Sequence, residues 1–232
     1  MKIGVIYVAW QSADLLPASL TPWVEAKRAA LGGHQFTICA VSVPFEGFPQ
    51  DEERDETRGM LGAHVQYGDI DHVVVSDKPM KETEARGRAL RWLVESGVRV
   101  VIQVDADEEY TSDDILRVFS FVEANPWVAW FRLSLRNAVF TPTTFLVEPF
   151  TPSRIHRVHV QGILTAGGFE DDNDVWYGRI DGMPISQREL PTMTIPPDVA
   201  WPTHLTWLSD DRSRRKVEYQ TKARGWECSF RW

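Results

Sequence analysis

A chain of 232 residues, 43% of them hydrophobic, is long enough to bury a full core as one large α/β domain. Its formal net charge of −8 argues against a general nucleic-acid coat, and no run of about 18 apolar residues is present to form a membrane-spanning helix. Cys39 and Cys228 are the only cysteines and lie outside any Cys-X-X-Cys spacing. They point to neither a zinc site nor a disulfide framework, and a cytoplasmic location is the default expectation.

In chain order, Ile3 to Ala9 reads as a first strand rather than a signal sequence, because no small-residue cleavage site follows it. Leu15 to Leu31 contains a helix that starts near Pro17 or Pro22 and stops at Gly32 and Gly33. Phe36 to Val43 is a second strand, ended by Pro44, and Glu46 to Gly59 is an acidic loop. Val73 to Val75 is a short third strand. Glu82 to Ser96 is a helix with Ala85, Ala89 and Leu93 toward one face and Gly97 as its stop. A buried strand then runs from Val98 to Val104, and Asp113 to Ala124 is a helix with Ile115, Leu116, Phe119 and Val122 inward. This alternation predicts a doubly wound, mostly parallel sheet that binds ligands outside the carboxyl ends of its strands. From Val128 the texture changes. Val128 to Phe140 reads as one long strand, Thr144 to Val147 as another, and Arg154 to Val160 as strand-rich. Recurrent prolines make Gly182 to Pro202 mostly loop, and Arg212 to Gly225 looks helical. The second half is expected to complete the sheet within a single domain spanning residues 1–232, not to fold separately.

The segment with the most chemistry is Val-Val-Ile-Gln-Val-Asp-Ala-Asp-Glu-Glu-Tyr at residues 100–110. An apolar run flanked by polar sequence reads as a strand buried on both faces, and such a strand holds carboxylates only at its mouth. Asp105 and Asp107 stand at that mouth, a placement suited to a hard divalent cation that carries phosphates. A helix start at Thr111 explains Asp113 and Asp114 but not this pair. His156 and His159, three apart in a strand-like run, point to opposite faces and are read as structural. A basic cluster late in the chain, Arg212, Arg214, Arg215, Lys216, Lys222 and Arg224, suits phosphate groups. Ten tryptophans suit packing or an aromatic platform for a sugar or base.

Three segments resemble GT-A glycosyltransferases, most closely the family-2 type. Glu84-Ala-Arg-Gly-Arg-Ala-Leu90 is similar to the family's Ala-Arg-Asn segment, with Gly87 in place of Asn. Val104-Asp-Ala-Asp-Glu108 is similar to its metal-binding motif, and Thr203-His-Leu-Thr-Trp207 with the basic segment after it is similar to its late histidine and helix. The second strand departs from the pattern, ending Ser42-Val43-Pro44 without an Asp-rich turn. The resemblance implies a GT-A fold with a nucleotide-sugar-binding half at 1–126 and an acceptor-side half at 127–232. It implies Mn²⁺ or Mg²⁺ held by Asp105, Asp107 and His204, and donor contacts from Ala9, Trp10, Ser42, Arg86, Asp105 and Arg214. The implied donor is a nucleoside-diphosphate sugar, a UDP-sugar foremost, and the implied reaction is inverting. In the acidic cluster of residues 167–174 the family's base matches Asp171, with Asp172 beside it and Glu170 as a further candidate. A solvated acidic turn accounts for the same cluster equally well. The acceptor is left open among glycans, lipid-linked sugars, proteins and hydroxymethylated DNA. Two rival readings are a sugar nucleotidyltransferase, weakened by the lack of glycine in residues 9–14, and a non-catalytic carbohydrate- or nucleotide-binding module.

Overall fold

Strands form where β-branched residues cluster, and helices where apolar residues recur on one face. A computed structural model describes residues 1–48, 56–139, 141, 144–145, 151–160, 163–164, 178–180, 183–185, 190–207, 213–215, 217–218 and 221. The first half runs β1 (Lys2–Val8), α1 (Leu16–Ser19), α2 (Thr21–Arg28), β2 (Gln35–Ser42), α3 (Thr57–Gln66), β3 (His72–Val75), α4 (Glu82–Glu95), β4 (Val100–Asp105), β5 (Glu108–Glu109) and α5 (Ser112–Ala124). The expected first helix is two short ones, each with a proline in its first turn, where the missing N–H is harmless. α5 begins with a capping box: the Thr111 hydroxyl accepts from the Asp114 N–H, and the Asp114 carboxylate accepts from the Thr111 N–H, each at 3.0 Å. α4 starts with Glu82 and Glu84 in its first turn and is followed by Gly97 at φ 78°, a left-handed position that favours glycine.

The second half adds β6 (Trp130–Leu133), β7 (Arg136–Val139), β8 (Ser153–Arg157), β9 (His159–Val160), β10 (Ile163–Leu164), β11 (Gly178–Ile180), β12 (Met183–Ile185), β13 (Thr192–Ile195) and β14 (Thr203–Trp207). The main sheet has seven strands in the order β13-β6-β8-β4-β1-β2-β3. β3, β2, β1 and β4 are mutually parallel; β8 is antiparallel to both β4 and β6, and β13 is parallel to β6. A second sheet, β5-β14-β7, leans on the mouth of the first. The chain leaves β1 toward β2 on one side and returns through β4 on the other. A crevice therefore opens between the carboxyl ends of β1 and β4. The expected mixed α/β architecture with a mostly parallel sheet is the observed one. Among the described residues, no helix is long and apolar enough to cross a membrane.

Other elements also differ from the sequence reading. The strand expected over Val128 to Phe140 is divided at Ser134, whose hydroxyl donates to the Ile195 carbonyl at 3.1 Å, so β6 serves the large sheet and β7 the small one. β13 lies inside the proline-rich stretch because Pro191 and Pro196 flank the strand and remove no ladder hydrogen bond from its interior. α3 starts within the presumed acidic loop. Only Thr57 and Leu61 of α3 are buried, which leaves little periodicity to detect.

The core lies on both faces of the sheet. On one, Trp23 packs edge-to-face against Phe36, Tyr110 and Phe119, with ring centroids 5.0–6.5 Å apart. On the other, α4 lies across β1 and β2, and this contact sets where its amino-terminal turn meets the crevice. The approach is close at Gly4: a Cβ there would lie 3.0 and 3.1 Å from the Leu93 methyls and 3.3 Å from Val98 Cγ1. Gly4→Val is expected to overpack this contact and lower stability by about 1–3 kcal/mol in urea denaturation.

Candidate active site

The crevice chemistry begins with alternation along β4. Gln103 and Asp105 project from the same face of the strand, toward Arg86 on α4. Arg86 is 2% exposed. Its guanidinium donates to Gln103 Oε1 at 3.0 Å, to Asp105 Oδ1 at 2.7 Å and to Glu82 Oε1 at 2.6 Å. From the other side β8 delivers Arg154, equally buried, whose Nη2 donates to Asp105 Oδ2 at 2.9 Å and also to Glu108 Oε1. Each oxygen of Asp105 thus accepts from its own guanidinium. Burial by itself raises the Asp105 pKa, but Arg86 and Arg154 outweigh it and hold the carboxyl below its ordinary range.

Glu108 has a different balance. It is fully buried, and burial, with repulsion from Asp105 and Asp107, pushes its pKa up to about 7 against the partial offset of Arg154. The Tyr110 hydroxyl donates to its second oxygen at 3.1 Å, and burial holds that phenol well above its usual range. Deeper still, Gln103 Nε2 lies 3.1 Å from His156 Nε2. His156 packs edge-on to Trp130 at 4.4 Å, and burial drives its pKa far down, so it is a neutral core residue.

Asp107 belongs to the other sheet. Its carbonyl accepts from the Leu205 N–H at 2.7 Å, and Glu108 pairs with His204 across β5 and β14. This register places His204 Nε2 at 3.4 Å from Asp107 Oδ2. On the far side of the ring, Nδ1 lies 2.7 Å from Asn137 Oδ1 on β7. If Nδ1–H donates to Asn137, Nε2 faces the carboxylate, with a proton when the imidazole is charged and a lone pair when it is neutral. Two electron-rich atoms so placed repel unless a proton or a cation sits between them. Adjacent ligands about 2.1 Å from an octahedral ion stand about 3.0 Å apart, so an ion between these two would draw them together by a few tenths of an ångström, and the Asn137 contact is the outer hydrogen bond that orients a ligating imidazole. Among the described residues no group of three or more His, Cys, Asp or Glu side chains is arranged around a common metal position. The fit is thus to an ion that takes one carboxylate and one imidazole from the protein and its other ligands from water or phosphate oxygens.

Of the predicted metal ligands, the structure brings Asp107 and His204 together and gives both oxygens of Asp105 to arginines. Of the predicted donor contacts, Ala9 is buried at the end of β1, where its N–H donates to the Val41 carbonyl at 2.9 Å. Arg58 lies over the Trp10 ring at 5.3 Å and bonds Asp77 at 2.6 Å. Ser42 is fully buried at the end of β2, its hydroxyl without a hydrogen-bond partner among the described residues, and Arg214 is exposed in the helical stretch that starts at residue 213. Glu170, Asp171 and Asp172 lie outside the described residues. The sequence reading missed Arg154 and Glu108. The one available signal was an arginine inside a strand-like run otherwise destined for burial, since a buried guanidinium requires a carboxylate partner.

No protein-family model and no curated protein sequence matches the chain. Among solved structures, S. aureus TarS (residues 1–349, in complex with UDP-GlcNAc) overlaps 68% of this chain and 45% of its own, with 15% identity and a TM-score of 0.47. GalNAc-T7 with UDP, GalNAc and Mn²⁺ overlaps 59% of this chain and 24% of its own, with 13% identity and a TM-score of 0.41. CMP:2-keto-3-deoxy-manno-octonic acid synthetase with CTP overlaps 68% of this chain and 74% of its own, with 11% identity and a TM-score of 0.38. The chain spans about half the length of the TarS 1–349 structure that it matches. At these TM-scores the overlaps add nothing to what strand order and side-chain geometry establish.

Glu108 makes the network sensitive to pH. Because its folded pKa of about 7 lies above the ordinary 4.5, the native state binds the proton more tightly, and Glu108 ionisation erodes stability as pH rises from 4.5 to 7. Glu108→Gln, which mimics the protonated form, is expected to match wild type near pH 4.5. Above pH 7 it should lose less stability relative to its own low-pH value than wild type does, read by urea denaturation across that range.

Proposed function

We propose that this chain is a cation-assisted glycosyltransferase of GT-A type that moves a sugar from a nucleoside-diphosphate donor, a UDP-sugar foremost, to a hydroxyl acceptor. The observation that carries this reading is the Asp107–His204 pair, 3.4 Å apart at the mouth of the crevice beside β4. It supplies two ligands and leaves the rest of a coordination shell to diphosphate oxygens. A Mn²⁺ or Mg²⁺ held by Asp107 and His204 would supply positive charge to offset the charge that develops on the departing diphosphate. Residues 1–126 form the donor half of one domain and residues 127–232 its acceptor half. Ala9, Trp10 and Ser42 shape the donor end of the crevice from the ends of β1 and β2, Arg86 holds Asp105 in place there, and Arg214 meets phosphate.

In the inverting reaction the acceptor oxygen attacks the anomeric carbon, the bond from that carbon to the diphosphate breaks, and the hydroxyl proton passes to a carboxylate. Asp171 is assigned as that base, with Asp172 as its neighbour and Glu170 as the residue to examine next. The acceptor is a glycan or another hydroxyl-bearing polymer. Hydroxymethylated DNA, which suits the basic segment around Arg214, is distinguished by salt-dependent binding.

A nucleoside diphosphate is expected to raise the melting temperature only with Mn²⁺ or Mg²⁺ present, since Asp107 and a diphosphate repel without a cation between them. Asp107→Asn should abolish that shift, and equal stabilisation in chelator would contradict the reading. Asp171→Asn should lower turnover by roughly two to four orders of magnitude with donor binding intact. Asp172→Asn serves as the control, and the product anomer, read by NMR, should be inverted.

A further inference from the structure

We propose that the outer edge of β3 is a self-association surface, on which a second copy of this chain pairs its own β3 antiparallel about a twofold axis at Val74. β3 ends the seven-stranded sheet, and among the described residues no strand lies beyond it. The Gln35 N–H donates to the Met1 carbonyl and the Ala9 N–H to the Val41 carbonyl, both at 2.9 Å. The backbone groups of the odd-numbered residues of β2 therefore face β1, and those of the even-numbered ones face β3. With Val41 opposite Val74, the ladder uses the backbone groups of His72 and Val74 and leaves those of Val73 and Val75 at the open edge. Val75 is 56% exposed there, at a place where an edge strand ordinarily shows charge.

Two such edges match each other. With Val73 of one copy opposite Val75 of the other, each residue exchanges N–H···O=C bonds with its counterpart and forms a β-branched cross-strand pair. The flanking acids are already matched, Asp71 to Lys27 at 2.8 Å and Asp77 to Arg58 at 2.6 Å, so neither brings unbalanced charge to the seam. On the face that carries Val74, α4 lies over β2 beside a groove of about 380 Å³, where Trp92 stacks on His72 at 4.8 Å. α4 runs back along the strands at about 1.5 Å per residue against about 3.3 Å, so the helix residue level with Val74 is near Arg88. In the joined sheet the two α4 helices are antiparallel and three strand spacings apart, roughly 14 Å, which extended arginine and glutamate side chains can span. A twofold axis at that level sets Glu84 of one copy against Arg91 of the other, and Lys81 against Glu95. Lys81, Arg91 and Glu95 are exposed and have no ion-pair partner among the described residues, while Glu84 bonds Arg88 at 2.8 Å. A peptide from another protein would supply the strand bonds but not this reciprocal charge match, which favours a second copy. The two crevices then open at opposite ends of one continuous sheet.

Sedimentation velocity of the full-length protein over about 1–100 μM is expected to show a concentration-dependent species of twice 26.5 kDa. Val75→Pro removes an N–H that no strand of the same chain uses, and is expected to weaken association roughly tenfold or more with the melting temperature little changed. Arg91→Glu is expected to weaken it severalfold, and Glu84→Arg/Arg91→Glu to recover most of that loss, which an effect confined to the helix would not do. If Val75→Pro unfolds, the exposed charge variants carry the test alone. Protein that stays monomeric throughout overturns the proposal, as does a dimer of unchanged affinity in folded Val75→Pro. An Arg91→Glu loss that the charge swap fails to restore overturns it too.

Discussion

Two arginines buried beside one aspartate set the terms for everything around the crevice. A guanidinium cannot give up its charge, so each one taken out of water needs anionic partners at hydrogen-bond distance. Arg86 finds Glu82 one turn back on its own helix and Asp105 at the strand end. Arg154 finds Asp105 and Glu108. These pairings fix the amino-terminal turn of α4, the end of β4, the start of β5 and the middle of β8 relative to one another. Gln103 spends its carbonyl on Arg86 and its amide nitrogen on His156, which carries the same order down to the Trp130 ring.

That arrangement was legible in the sequence only in part. The end of an apolar run at Asp105 announced a strand mouth, and the alternation of strand and helix signals announced a parallel sheet, because both are local properties of the chain. Arg86 was legible through the segment around it. Arg154 and Glu108 meet across 46 positions and come together only because β8 enters antiparallel beside β4, a pairing no local pattern encodes. The same holds for His204: its contact with Asn137 spans 67 positions and depends on the register of β14 against β7. β13 was hidden by its flanking prolines and α3 by its lack of a broad apolar face.

The sequence also treats Asp-Ala-Asp as one unit, and the fold divides it. Asp105 is the last residue of a strand in the seven-stranded sheet, and Asp107 directly precedes a strand of the three-stranded one. Electrostatics follow the division. Asp105 is held ionised by fixed positive charge, while Glu108, one residue past Asp107, has a raised pKa because it is buried, with repulsion from Asp105 and Asp107 adding to that effect.

Ala106 is therefore a joint between two bodies. Its N–H is tied to the Val8 carbonyl of the large sheet, while the carbonyl of the next residue is tied to Leu205 of the small sheet. If the small sheet tilts, Asp107 and His204 travel with it as a pair, but so does Glu108, whose carboxylate shares one Arg154 nitrogen with Asp105. The joint is therefore braced: the mouth of the crevice changes width only by pulling on the charges at its base.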